Sequence, residues 1–400
     1  MCIFLLCVKN IHMVITRYLQ EPIRQDLEEK MVFLSGPRQV GKTTMAKTFL
    51  TQEEDCYFNW DSRSDRRKIL SAQWPAVRST IVFDELHKYK NWKGWIKGEY
   101  DKYGGQVCFL ITGSARLDIY RKGGDSLQGR YHTHRLHGFS VGELLHTTFK
   151  IEPGKEIKFP AKFDKDTIML LLQYGSFPEP FLKQNQRSLR RWQRERMDRF
   201  FREDVRELEN VRDLSSIELL ADMLEGRAGN PLSLQSLRED LEVSHRAVTH
   251  WIDILERLYF CFTVTPFTHS AVRSLRKTPK LYLWDWSVVS DKGARFENLV
   301  ACHLLKMKHA LEDQEGYKIM LHYLRDTSKR EVDFLITYDQ KPWFAVECKI
   351  AGRTPNPALR YFGERLKIPY LYQLNLEDRD DVFDGRVRVM SASKFLGALP

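Results

Sequence analysis

The chain has no Cys-x-x-Cys pair: its seven cysteines, Cys2, Cys7, Cys56, Cys108, Cys261, Cys302 and Cys348, are scattered over 400 residues. None stands at a metal-type spacing from a histidine, which excludes a zinc framework, and the thiols read as buried groups in a reducing cytosol. Long apolar runs are missing too. The opening Met1 to Val8 is apolar but too short to span a bilayer. It lacks a basic flank and a small-residue cleavage site, which argues against a secretory leader, and both Met1 and Met13 stand open as the start. A cytoplasmic protein with no membrane partner is the expectation. An acidic excess is also absent. Lys and Arg number 63 against 53 Asp and Glu, a net charge of +10, and the pI near 9.1 favours a polyanionic partner.

What is present starts at Gly36. Residues Gly36, Pro37, Arg38, Gln39, Val40, Gly41, Lys42 and Thr43 follow the apolar run Met31 to Leu34 and precede a helix-forming stretch that begins with Thr44. That is the loop G-x-x-x-x-G-K-[ST] in its strand-then-helix setting. The two glycines let successive N–H groups turn inward onto phosphates, Lys42 reaches the β- and γ-phosphates, and the Thr43 hydroxyl sits on Mg²⁺. ATP and Mg²⁺ are therefore the expected cofactors. A second strand, Ile81-Val82-Phe83, ends in Asp84 and Glu85, a Walker B pattern in which Asp84 holds the metal and Glu85 polarises the attacking water. A third, Val107 to Thr112, runs into Gly113 and Ser114. Thr112 and Ser114 are the candidates for sensing the γ-phosphate. Arg130 is either an arginine finger, in its own or a neighbouring subunit, or an ordinary solvated side chain. The neighbouring-subunit case requires a homo-oligomer.

Four hundred residues with 42% hydrophobic content allow two or three domains with separate cores. Arginines crowd residues 187–212 at helical periodicity, with Trp192, Met197, Phe200, Phe201, Val205 and Leu208 as the apolar stripe. This reads as a lid or linker helix whose interleaved acids make a solvated face, or else a phosphate-binding one. Residues 230–260 carry a pattern like that of winged helix-turn-helix modules. Ser244 caps a helix running to Leu258, with Val248, Ile252, Leu255 and Leu258 inward and His245, Arg246, Thr249 and His250 outward. Those four outward residues are the candidates for DNA contact, the alternative being a plain packing unit.

Near the end, Glu331 to Ile336 and Trp343 to Lys349 read as two strands joined by the turn Asp339 to Pro342. Alternation puts Glu331 with Asp333 on one face and Glu347 with Lys349 on one face of the partner. Asp333 and Glu347 form a D…E-x-K set with Lys349: two carboxylates for Mg²⁺ and a lysine to orient or deprotonate the water attacking a phosphodiester. Glu297, on a helix, completes the metal site from the side. A purely structural cluster is the competing reading.

The segments GPRQVGKTT, IVFDELHK, ITGSA, SLQGRY, YGSFPEP, FREDVREL, GARFENLV, REVDFLI and AVECK together resemble prokaryotic AAA-type ATPases that carry a C-terminal domain of unknown function with a restriction-endonuclease-like core. The resemblance spans nearly the whole chain. It implies an α/β protein: an AAA-type P-loop domain over 13–150, a helical lid or linker over 165–225, a winged helix-turn-helix over 226–270, and a PD-(D/E)xK nuclease-like domain over 285–400. The metal residues carried over are Asp333, Glu347, Lys349 and Glu297. The proline-aspartate dipeptide that names that fold is absent, since Val332 precedes Asp333. The functional expectation is an ATPase acting on DNA, whose nucleotide state gates a Mg²⁺-dependent nuclease-like end. The alternative is an ATP-driven switch with a catalytically inactive C-terminal domain.

Overall fold

The computed structural model describes residues 5–8, 11–75, 77–113, 127–147, 149–161, 163–206, 213–268, 278–377 and 381–400. Contacts divide the chain into two units, Met1–Gly138 and Phe139–Pro400. No helix among the described residues is long and apolar enough to cross a membrane.

The first unit opens with a two-stranded hairpin, β1 (Leu5–Val8) and β2 (Ile11–Val14). Its core is a five-stranded sheet of β3 (Met31–Ser35), β4 (Cys56–Asn59), β5 (Ser79–Asp84), β6 (Val107–Thr112) and β7 (Tyr131–Arg135), in the order β4-β5-β6-β3-β7. All pairings are parallel. A parallel sheet must be covered on both faces, which explains why its central strands are apolar without interruption. Phe33, Ile81, Phe83, Phe109 and Ile111 pack on one side with Ile69, Trp92 and Ile96. The alternate residues Val32, Leu34, Val82 and Leu110 pack on the other with Ile23, Leu27 and Met45. The strand order places the carboxyl end of β6 between those of β3 and β5, where open α/β sheets bind ligands.

The second unit is built on an eight-stranded mixed sheet. Its strands are β8 (Cys261–Pro266), β9 (Lys280–Leu283), β10 (Ile319–Arg325), β11 (Glu331–Tyr338), β12 (Lys341–Lys349), β13 (Tyr370–Asn375), β14 (Asp381–Asp384) and β15 (Val387–Ser391), ordered β14-β15-β13-β12-β11-β10-β8-β9. A 24-residue helix, Lys292–Glu315, leads into the antiparallel run β10-β11-β12, and the helix Pro357–Arg365 then carries the chain to β13, parallel to β12. Leu335, Ala345 and Leu371 of the sheet meet Leu359 and Phe362 of the shorter helix in one core. Ahead of the sheet lie the helices Leu234–Asp240 and His245–Arg257, capped by the side chains of Ser233 and Ser244, followed by the antiparallel pair β8 and β9.

Two local features differ from the sequence expectation. The arginine-rich helix is Gln186–Arg199, and the chain continues as a wider π-type turn over Phe200–Val205. Phe200, Phe201 and Val205 are all buried, so widening the helix there keeps consecutive aromatics on the core side. Leu208 lies outside the described residues. Arg196 is not part of a solvated face: its guanidinium carbon lies 4.4 Å from the Phe177 ring centroid and its Nη1 3.6 Å from Asp285.

Residues 139–150, expected in the first domain, begin the second unit. The reason is a buried polar cluster. Lys306 Nζ donates to Ser140 Oγ at 2.9 Å and pairs with Glu143 at 2.6 Å. His303 Nδ1 lies 2.8 Å from the Leu299 carbonyl, and its Nε2 accepts the Val141 N–H at 3.1 Å. Those partners define the neutral Nδ1–H tautomer. Burial, with the Lys306 charge, holds the His303 pKa down to about 4 from 6.5. The folded state therefore binds fewer protons than the unfolded state in that window, so stability is fully present above pH 6.5 and declines as pH falls toward 4. The loss should reach on the order of 3 kcal/mol. Urea unfolding across the window checks it: wild type should weaken, and His303→Gln should show a flatter profile.

Candidate functional site

The phosphate loop sits between β3 and the short helix Lys42–Ala46. Gly36 has φ +147°, and a Cβ there would lie 2.4 Å from the Leu136 carbonyl oxygen, so both the backbone angle and the space require glycine. Gly41, at φ +100°, turns the chain into the helix. Gln39 is also left-handed, at φ 62°. Val40 is buried while Thr44 is exposed, and Pro37 offers its carbonyl inward. Lys42, 6% exposed, donates from Nζ to the Gly36 and Pro37 carbonyls at 2.9 and 2.8 Å. Its ammonium is thus held over the loop. A second cation braces the loop from behind: Arg17, buried, donates to the Val40 carbonyl at 3.2 Å and to the His137 carbonyl.

Asp84, at the end of β5, is the hub of the site. The Thr43 hydroxyl donates to it at 2.8 Å, the Tyr57 hydroxyl at 2.6 Å, and the Thr112 hydroxyl from the neighbouring strand β6. Glu85 follows in a left-handed conformation, φ 57° and ψ 26°. Burial, reinforced by the Asp84 charge and opposed by Lys42, pushes its carboxyl above the usual carboxylate range. Its Oε2 is buried without a hydrogen-bond partner, and His87 Nε2 lies 3.6 Å away. The donor set fits a nucleotide with Mg²⁺: a glycine-shaped loop, an ammonium above it, and a hydroxyl paired with a carboxylate.

Of the other expected residues, Ser114 lies outside the described residues. Arg130 is at the opposite end of the sheet: its carbonyl accepts the N–H of Met31, the first residue of β3, and its guanidinium pairs with Asp101 at 2.6 Å. The length of β3, about 3.3 Å per residue, separates it from the phosphate loop of its own chain. Two contributors had no readable sequence signal. Tyr57 and Arg17 come from segments remote in sequence from the loop, and only the fold brings them in.

In the second unit, the register between β11 and β12 sets Asp333 beside Glu347: the Asp333 N–H lies 3.4 Å from Glu347 Oε2, and the Cys348 N–H donates to Asp333 Oδ2 at 2.9 Å. Lys349 Nζ and Asn356 Nδ2 meet Glu347 Oε1 at 2.7 and 2.6 Å. Glu297 accepts the Tyr282 hydroxyl at 2.7 Å. A residue that sequence reading passed over stands among them. Lys280 Nζ is 2.6 Å from Glu331, 3.1 Å from Glu297 and 3.7 Å from Asp333. Burial opposes its charge, but those carboxylates hold the ammonium protonated well above the ordinary lysine range. Asp333 is pushed well upward by burial and by Glu297 and Glu347. Among the described residues, no group of three His, Cys, Asp or Glu is placed to hold a metal ion, and the Lys280 ammonium stands among Glu331, Glu297 and Asp333. The alternation Lys280-Leu281-Tyr282 on β9, putting a lysine and a tyrosine on one face, was the available signal.

On the helix His245–Arg257, His245, Arg246, Thr249 and His250 are exposed while Val248, Trp251, Ile252 and Leu255 are buried. Thr249 Oγ1 is already used within the helix, donating to the His245 carbonyl at 2.9 Å.

The Arg17 brace is open to test. Replacing it by methionine leaves two buried carbonyls without that donor, at about 1–3 kcal/mol each. Arg17→Met should lower stability in urea by on the order of 2 kcal/mol and weaken fluorescent-nucleotide binding, whereas a surface change such as Arg63→Ala should alter neither.

Three family models match successive stretches of the chain. Residues 28–145 match the model of an AAA domain, and residues 165–292 and 292–395 match two domains of unknown function, DUF8612 and DUF4143. An uncharacterised protein of Methanocaldococcus jannaschii is 22% identical over 392 residues, covering 89% of this chain and 84% of its own length. One from Mycobacterium tuberculosis is 22% identical over 346 residues, covering 82% and 71%. Among solved structures, a Thermogota maritima RuvB mutant aligns at 16% identity over 65% of this chain and 94% of its own, with a TM-score of 0.31. The first unit thus carries an AAA-type P-loop domain.

Proposed function

We propose that the protein is an ATP-hydrolysing molecular switch whose second unit docks on DNA. The observation that carries the ATPase reading is the convergence of Thr43, Tyr57 and Thr112 on Asp84 beside the loop-held Lys42. In this reading the loop N–H groups and Lys42 receive the phosphates, and Thr43 with Asp84 holds Mg²⁺, which supplies charge neutralisation on the phosphate oxygens. Glu85 orients the attacking water and takes its proton. Its buried position and raised pKa suit a base, because a carboxylate of ordinary basicity accepts a proton poorly at neutral pH. Thr112 carries the state of the site into β6. The position of Arg130, away from its own loop, supports service to a neighbouring copy and hence a homo-oligomer.

Three observations support DNA as the partner of the second unit. The net charge is +10, the exposed side of the helix His245–Arg257 carries Arg246, His245 and His250, and the capped helix pair is followed by an antiparallel hairpin, the order of a winged helix-turn-helix. The C-terminal order of helix, three antiparallel strands, helix and parallel strand, with Asp333, Glu347 and Lys349 in D…E-x-K register, supports a nuclease-like fold. The lysine lodged among its carboxylates favours docking over cleavage.

Steady-state turnover tests the ATPase. Glu85→Gln should keep nucleotide binding and lose about 10²–10⁴-fold in turnover. Wild-type turnover should fall on the acid side at a pH above the ordinary glutamate range, because Glu85 must be ionised to act and its pKa is raised. Turnover retained in Glu85→Gln would sink the assignment. DNA binding is read from its salt dependence: Arg246→Ala should weaken binding and make the log–log slope shallower by about one phosphate contact, with the DNA recovered uncut in Mg²⁺ and ATP. An unchanged slope would remove this helix from the interface.

A further inference from the structure

We infer that the Lys280 ammonium is the resident cation of the carboxylate cluster in the second unit, lodged where a nuclease of this strand order would hold a divalent metal. Lys280 is 2% exposed, and a buried ammonium is tolerated only when carboxylates surround it. It has three: Glu331 at 2.6 Å, Glu297 at 3.1 Å and Asp333 at 3.7 Å. These come from both elements that would build a metal site, the helix Lys292–Glu315 and strand β11.

Several of the carboxylate oxygens have a further partner as well. Asp333 Oδ2 accepts the Cys348 N–H, and Glu297 Oε1 accepts the Tyr282 hydroxyl. Glu347 Oε1 is shared by Lys349 and Asn356, while Glu331 Oε2 faces Arg325 at 3.3 Å. Charges nearly cancel: the four acids Glu297, Glu331, Asp333 and Glu347 face the three cations Lys280, Lys349 and Arg325. A divalent ion entering here would have to expel an ammonium whose stem is walled in, with Nζ 5.6 Å from the Tyr323 ring centroid. The cluster is therefore a self-contained ionic node, and the unit keeps its fold without a metal. The inference deepens the docking reading of the second unit, but metal occupancy tests it independently of DNA binding and of ATP turnover.

The test is a Mn²⁺ titration followed by electron paramagnetic resonance on nucleotide-free, full-length protein carrying Asp84→Asn, which silences the first unit's metal site. No bound ion is expected there. Adding Lys280→Met should create a site that takes up Mn²⁺ and loses it again with Asp333→Asn. Should the methionine variant fail to fold in metal-free buffer, Lys280→Gln takes its place, and Mn²⁺ should raise its melting temperature while leaving that of the Lys280-containing protein unchanged. Mn²⁺ bound in the presence of Lys280 and abolished by Asp333→Asn would overturn the inference. So would a folded Lys280 variant that gains neither Mn²⁺ binding nor Mn²⁺-dependent stability.

Discussion

A carboxylate withdrawn from water at the end of a strand must be met by donors, and Asp84 is met by three hydroxyls from three different segments. Much of the first unit follows from that requirement. Thr43 can reach Asp84 only if the loop turns tightly after β3, which the positive φ angles of Gly36 and Gly41 allow. Thr112 can reach it only if β6 lies between β3 and β5, as the sheet order has it. Tyr57 requires β4 on the outer side of β5. One buried charge thus ties the order of four parallel strands to the geometry of a phosphate loop.

The second unit obeys the same rule with a different solution. There, acids from a helix and two strands are drawn together, and the compensation comes from an ammonium on β9, a strand at the edge of the sheet. Asp84 is met by hydroxyls, whereas the acids of the second unit are met by a lysine fixed by its own covalent stem. Two carboxylate clusters in one chain are in this way balanced by neutral donors in one case and by a built-in charge in the other.

What the sequence made legible follows from locality. The phosphate loop could be read because its glycines, lysine and threonine lie within eight residues and each is demanded by backbone geometry or charge. The capped helix pair could be read because Ser244 and the apolar period of Val248, Ile252 and Leu255 are local signals. The facing strands around Asp333 and Glu347 were legible from alternation. Lys280, Tyr57 and Arg17 were not, because each acts on residues between 17 and 120 positions away, and no local pattern encodes that partnership. The grouping of residues 139–150 with the second unit was not legible for the same reason: Ser140 and Glu143 are held by Lys306, more than 160 residues downstream.

Glu85 occupies a backbone conformation that favours glycine, at φ 57° and ψ 26°, immediately after the strand that delivers Asp84. A side chain with a Cβ held there stores strain on the order of 1 kcal/mol. Glycine at this position would relax the turn, at the loss of the carboxyl that faces His87 and Lys88. Under the proposed role of general base, glutamate here serves the chemistry at some expense to the fold.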